Sequence, residues 1–87
     1  MNIIHNARFE SICHKKFTEW YKRNKPETEI TITHVATVWM CKTLQNLKCI
    51  VTAPALRDGI IAEYTYNGDK QELYEDVYSK LTNTKYE

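Results

Sequence analysis

The sequence predicts an α+β domain of order α-β-β-β-α, in which two helices pack on one face of a three-stranded antiparallel sheet. Three observations lead to this prediction. Residues 6–24 carry apolar side chains at helical spacing, residues 36–69 contain three short strand-like runs joined by turns, and a second helical spacing follows. The 87 residues, 43% hydrophobic and 26% charged, are enough for one domain, 1–87, with one core.

The first helix is predicted over residues 6–24. Its apolar side chains recur three or four residues apart and form one stripe. They are Phe9, Ile12, Cys13, Phe17 and Trp20. Asn6 is the expected N-cap, and Pro26 ends the helix because the residue before a proline is pushed out of the helical region.

Three segments rich in β-branched or aromatic residues predict the strands. They are expected at residues 35–43, 47–53 and 60–66. In residues 28–33, Thr28, Ile30 and Ile32 alternate with Glu29, Thr31 and Thr33. This segment forms either a loose edge strand or a connection. In the third strand the even-numbered residues are the more apolar, so this face is expected to meet the helices. Placing Ala53 opposite Ile60 then puts the odd-numbered residues of the second strand in the core.

The register of the first hairpin has two alternatives. A three-residue loop would pair Cys41 with Cys49 and point Trp39 toward the core, whereas a two-residue loop would send Val38 and Met40 inside. One residue of slip exchanges the two faces of the strand. We favour the three-residue loop, because an asparagine stands at its last position, which requires the left-handed conformation.

The second helix is predicted to begin at Asp69. Asn67 and Gly68 supply the preceding turn, and Asp69 with Glu72 has the spacing of a capping box. The apolar residues that follow are four positions apart and would form the buried stripe of this helix. They are Leu73, Val77 and Leu81.

The residues lack the spacings of catalytic or metal sites. Three scattered histidines form no H-x-x-x-H or H-x-H pair, and two glycines are too few for a phosphate-binding loop. Three cysteines without a C-x-x-C pair are expected to be reduced thiols, and Cys41 beside Cys49 would need further ligands to hold a metal. We therefore predict a protein that is not an enzyme and has no cofactor or metal.

Charge and hydropathy indicate a cytoplasmic protein. The formal net charge of +1 creates no overall field toward nucleic acid or anionic lipid. No apolar run reaches the roughly 18 residues that span a bilayer. Residues 1–6 lack the basic start and long apolar run of a signal peptide.

Strand direction brings several polar residues together. The tip of the first hairpin and the corner after the third strand lie at the same end of an antiparallel sheet. This cluster is interpreted either as turn and capping residues or as a partner-binding site. Its members are Lys42, Gln45, Asn46, Asn67 and Lys70.

Two further surfaces give alternatives. The basic face of the first helix, with Lys15, Lys22 and Arg23, is either a solvated face or a phosphate-binding ridge. The sheet face opposite the helices would be an apolar patch, suited to a homodimer or a partner protein, if it carries Ile50, Ile61 and either Trp39 or Met40.

Two stretches resemble a known family. They are residues 38–46, VWMCKTLQN, and residues 64–74, YTYNGDKQELY, the second followed by Asp76 and Tyr78. Over about residues 33–80 the chain resembles small proteins, without an assigned activity, of phages and prophages of low-GC Gram-positive bacteria. The resemblance implies a phage-encoded cytoplasmic protein that binds and inhibits a bacterial host or defence protein, such as a CRISPR effector. A nucleic-acid-binding regulator and a homodimeric structural phage component are the alternatives.

Overall fold

The computed structural model describes residues 5–87, in which one helix packs on a four-stranded antiparallel sheet. The elements are α1 (Asn6–Asn24), β1 (Ala36–Thr43), β2 (Asn46–Thr52), β3 (Ile60–Asn67) and β4 (Glu72–Ser79). The strands lie side by side in chain order, β1-β2-β3-β4, so the sheet is a meander. Residues 1–4, on which part of the signal-peptide prediction depends, lie outside the described residues.

The predicted second helix is wrong, and with it the α-β-β-β-α order. Residues 72–79 form β4, which pairs with β3 from Asn67↔Glu72 to Ile60↔Ser79. The apolar spacing misled because a repeat of four residues fits two strand periods as well as about one helical turn. Val77, Tyr74 and Tyr78 are residue types that favour strands, and pairing satisfies the backbone of β3 on its outer side.

The turn before β4 has the chemistry of a hairpin loop and not of a helix N-terminus. The Asn67 side-chain Oδ1 accepts hydrogen bonds from the backbone N–H groups of Asp69, at 3.1 Å, and Lys70, at 3.2 Å. Gln71 then adopts a positive φ of 53° and leads the chain into β4. The predicted capping box of Asp69 and Glu72 is therefore replaced by an Asx-type turn, which leaves Glu72 as the first residue of the strand.

Helix α1 is confirmed over the predicted residues. Its buried stripe repeats every four residues, through Phe9, Cys13, Phe17 and Tyr21, while Trp20 packs at its margin. The N-cap is His5 and not Asn6, because His5 Nδ1 accepts the Arg8 backbone N–H at 3.2 Å. The helix lies mainly over β1 and β2. Within residues 5–87, no helix is long and apolar enough to cross a membrane.

The register between β2 and β3 is the predicted one. Leu47 pairs with Tyr66, Cys49 with Tyr64 and Val51 with Ala62, and all six side chains are buried under the helix. The odd residues of β2 and the even residues of β3 therefore form the sheet half of the core, as the alternation of apolar residues indicated.

The preferred register of the first hairpin is wrong. Thr43 pairs with Asn46 across a two-residue loop, in which Leu44 has a positive φ of 56°. Met40 consequently pairs with Cys49 on the helix side, and Cys41 is not its partner. A β-bulge between Thr37 and Trp39 changes the faces again, so that Val38, which the two-residue alternative put inside, is exposed.

The connection from α1 to β1 closes the core at one side. Residues 28–33 are not an edge strand: the segment is irregular and ends in a short 3₁₀ turn, Ile32–His34. Ile30 and Val35 are buried against the same cluster as the helix stripe, whereas Ile32 is exposed. The segment therefore serves as a connection that covers the core with two anchoring side chains.

The two turns at one end of the sheet touch each other at Gly68. A Cβ on Gly68 would overlap the backbone oxygen of Gln45. We expect Gly68→Ala to lower the free energy of unfolding by about 1–3 kcal/mol, because a backbone atom must move to accept the methyl group. Asp69→Ala, one residue further along the exposed turn, is the control and should change it by less than about 0.5 kcal/mol. Urea unfolding of both variants tests this, and equal stabilities would contradict the contact.

Candidate protein-binding surface

Among residues 5–87, no helix packs on the sheet face that points away from α1. Alternation assigns to this face the even residues of β2 and β4 and the odd residues of β3. On β1 the bulge places Trp39, Cys41 and Thr43 on the same side. We call this surface the open face, and its side chains range from partly to well exposed.

A continuous row of large apolar side chains crosses the open face. Trp39 on β1 lies opposite Ile50 on β2, and Ile61 on β3 lies opposite Tyr78 on β4. Ile50 pairs with Glu63, two residues from Ile61, so the two isoleucines are diagonal neighbours and join the pairs. We call these four residues the apolar band. It runs from one edge of the sheet to the other.

The two aromatic residues of the band keep about half of their accessible surface. Trp39 retains 48% and Tyr78 retains 53% of its accessible surface. Tyr74, beyond Asp76 on the same face of β4, retains 52%. A shallow groove of about 240 Å³ beside Trp39 has Cys41, Lys48 and Thr65 among its walls. A contiguous apolar patch of this kind marks interaction sites more often than ordinary surface.

Charges border the band on the side toward β4. Lys48 Nζ lies 3.5 Å from Glu63 Oε1, a half-exposed ion pair across β2 and β3. Asp76 lies directly opposite Glu63 in the β3–β4 ladder. A hydrogen bond with Glu72 raises the pKa of the neighbouring Tyr74 hydroxyl. The open face is therefore apolar along the band and negative along β4.

Most of the predicted polar cluster lies at the turn end of the open face. Asn46 and Asn67 are cross-strand partners there, and Gln45 meets the backbone at Gly68. The Lys70 backbone N–H bonds to Asn67, which places Lys70 in the same pair of turns. Lys42 is separate, because it pairs with the buried Leu47 and so lies on the helix side of β1. The four remaining residues form a polar margin beside the apolar band.

Comparison with known proteins assigns a family. Residues 10–87 match the model of a family of unknown function, DUF6275. The chain belongs to the DUF6275 family. The match includes the whole sheet and most of α1. Neither the curated proteins nor the solved structures give a match.

In this DUF6275 chain, the three basic residues of the alternative nucleic-acid site do not share one surface. Lys15 and Lys22 border a groove of about 440 Å³ with Ile30 and Ile32. Arg23 lies toward β4, where its Nη2 is 3.8 Å from Glu75 Oε1. Phosphate contacts from all three would therefore need a ligand that reaches around the end of α1.

A polar network under the helix of the DUF6275 fold was not predicted. The Thr37 hydroxyl donates its proton to Glu10 Oε2 at 2.6 Å. His14 Nε2 lies 2.7 Å from the Thr37 Oγ1, and because that hydroxyl proton is already used, Nε2 is the donor to Oγ1. Glu10 and His14 are four residues apart and so lie on one side of α1, and this spacing is the part of the network that could be found in the sequence. Thr37 becomes their partner only because the bulge turns it toward α1.

Two thiols meet beside this network in the DUF6275 core. Cys13 on α1 and Cys49 on β2 are both fully buried. Their mutual hydrogen bond, together with burial, raises the pKa of the Cys13 thiol. Cys13 is therefore a weak nucleophile, and full burial packs both thiols as small residues of the core. Within the described part of the chain, no three His, Cys, Asp or Glu side chains form a metal cluster.

Two buried tyrosines of the DUF6275 fold donate to carboxylates. The Tyr21 hydroxyl is 2.6 Å from Asp58 Oδ2, and the Tyr64 hydroxyl is 2.6 Å from Glu75 Oε2. Burial and these carboxylates raise the pKa of both phenols above the ordinary value. The bonds tie the helix-side core to the β2–β3 connection and to β4.

Proposed function

We propose that this chain is a non-enzymatic binding domain that attaches the open face of its sheet to a bacterial host protein. The observation that carries the proposal is the apolar band, Trp39, Ile50, Ile61 and Tyr78, which crosses four strands on the face away from the helix. Trp39 and Tyr78 form the two ends of this band, and exposed Trp and Tyr side chains are typical anchors of protein interfaces. The polar margin of Gln45, Asn46, Asn67 and Lys70 supplies the hydrogen-bonding rim that such interfaces have.

The size of the open face favours a different protein over a second copy as the partner. Four strands about 4.8 Å apart and about seven residues long present roughly 400 Å². A stable interface buries about 800 Å² on each partner. Two flat open faces stacked on each other can bury little beyond the side chains that stand on this footprint. A larger host protein can also contact the turns and the sheet edges.

The resemblance to phage and prophage proteins makes the proposal more specific. Residues 38–46 and 64–74, which carry the resemblance to phage and prophage proteins, correspond to the β1–β2 hairpin and the β3–β4 turn region. Both stretches contribute to the open face or to its polar margin. We place the protein in the cytoplasm of an infected bacterium, where it binds and inhibits a host or defence protein, with a CRISPR effector as the first candidate.

The test is capture from a Gram-positive host lysate, followed by affinity measurement on variants. We expect a stoichiometric protein to survive nuclease treatment. Trp39→Ala should weaken its binding at least about 30-fold, the effect of losing a large aromatic anchor worth about 2 kcal/mol. Ile32→Ala is the matched control, because Ile32 is 46% exposed but lies on the helix side, and it should leave affinity within about twofold.

Other outcomes of the same experiment identify the alternatives. Recovery of nucleic acid alone, lost on nuclease treatment and weakened by Lys15→Glu, would replace the proposal with the regulator alternative. A protein partner that binds the Trp39→Ala variant as tightly as the parent would contradict the open face as the site. Sedimentation of the purified chain as a dimer that Trp39→Ala dissociates would favour the homodimer.

A further inference from the structure

The two edges of the sheet differ in regularity. β1, one edge, is interrupted by the bulge between Thr37 and Trp39. β4, the other edge, pairs with β3 over eight consecutive positions without a break. Among residues 5–87 no strand lies on its outer side, so it presents a row of backbone N–H and C=O groups that a further strand can pair with. The regular edge of this sheet is therefore β4.

The side chains of β4 are acidic. Residues 72–79 include Glu72, Glu75 and Asp76 and no Lys or Arg. Glu75 faces the helix side and already contacts Arg23 and Tyr64. Asp76 lies on the open face directly opposite Glu63, a like-charge pair that destabilises a sheet unless a cation is near. Lys48 contacts Glu63, whereas among residues 5–87 no basic side chain forms an ion pair with Asp76.

This charge selects what can pair with the edge. Two copies of β4 would bring their carboxylates together, so repulsion disfavours a second copy of this chain. A basic strand would instead place cations beside Glu72 and Asp76. The tyrosines at positions 74 and 78 alternate with these two carboxylates on the same face. A complementary strand therefore has basic and apolar residues alternating at every second position.

We propose that β4 accepts an extended basic segment of the bound partner as a fifth strand of the sheet. On the open face this segment carries Lys or Arg beside Glu72 and Asp76, and aromatic or β-branched residues beside Tyr74 and Tyr78. Main-chain hydrogen bonds to β4 provide the affinity, and this alternation provides the specificity. The inference deepens the proposed function and rests on it, since the added strand extends the open face at Tyr78.

The test uses two blocked nonapeptides and the intact chain. One has Lys and Val alternating at every second position with Thr between them, and the other has Glu in place of Lys. We expect the basic peptide to slow amide exchange along residues 72–79, with an affinity that falls as salt is raised. Asp76→Lys should weaken it at least tenfold, whereas Glu29→Lys, the same change at an exposed site on the α1–β1 connection, should not.

Three results would overturn the inference. They are no binding of the basic peptide at millimolar concentration, equal binding of the acidic peptide, and protection of β1 in place of β4. The proposed function is tested separately, because Trp39 lies on the opposite edge strand. Loss of host-protein binding in Trp39→Ala, together with failure of the peptide on β4, would leave the open-face proposal standing and remove only the added strand.

Discussion

Phe17→Ala is expected to lower the free energy of unfolding by about 3–5 kcal/mol, the usual loss when a fully buried aromatic ring is removed. Phe17 has no exposed surface and contacts the ring of Tyr21 edge-on, with centroids 5.1 Å apart. It also stacks with Trp20 at 6.4 Å. Small domains are stable by only about 5–15 kcal/mol, so this one change removes a large share of the total.

The control for Phe17→Ala is Trp39→Ala, which removes a larger aromatic ring from the open face. Because Trp39 is half exposed and rests on no helix, its loss should change stability by less than about 1 kcal/mol. Urea unfolding followed by circular dichroism measures both variants on the same scale. Similar losses in the two would mean that the open face is packed in solution, contrary to the arrangement described above.

The second large effect is alkaline destabilisation. Tyr21 and Tyr64 keep their protons in the folded chain, because burial and a carboxylate raise the pKa of each phenol. In the unfolded chain they ionise near pH 10, so above about pH 10 the unfolded state binds fewer protons than the folded state. The phenols contribute their full share of stability below that pH. Above it, the free energy of unfolding should fall by about 1.4 kcal/mol per pH unit for each phenol, which is about 2.7 kcal/mol per pH unit for the two together.

Chemical unfolding at a series of pH values from about 9 to 12 measures this slope. Tyr21→Phe and Tyr64→Phe should each make the decline shallower by about 1.4 kcal/mol per pH unit. Tyr86→Phe, in the exposed C-terminal segment, is the control for removing a hydroxyl. A slope that stays the same in both buried variants would show that neither phenol is held neutral by the fold.

Local patterns in the sequence predict part of this fold correctly. The α1 stripe and the alternation in β2 and β3 each have one period that fits, so the helix and the central register are confirmed. The helix prediction for residues 72–79 was wrong because Leu73 and Val77 are four positions apart, a spacing that a strand and a helix share. The free edge of β3 favours the strand over the helix, because residues 72–79 can pair with it. This edge exists only in the assembled sheet.

The candidate surface was predicted in pieces for similar reasons. Ile50 and Ile61 were expected on the open face from alternation alone. Trp39 could be placed on this face only if the first hairpin has a two-residue loop, and Tyr78 was predicted to lie on a helix. The sequence therefore did not predict a band that crosses four strands. The contact of Cys13 with Cys49 depends on how α1 docks on β2, which no spacing within either segment encodes.

The meander order has a consequence for how the chain folds. Each strand pairs only with its neighbours along the chain, so the sheet forms through short loop closures with a low entropy cost. Docking of α1 on β1 and β2 joins residues that are further apart in sequence. Topologies dominated by such local pairing fold faster than those built from distant strands. We therefore expect this sheet to fold faster than one of the same size whose strands pair out of chain order.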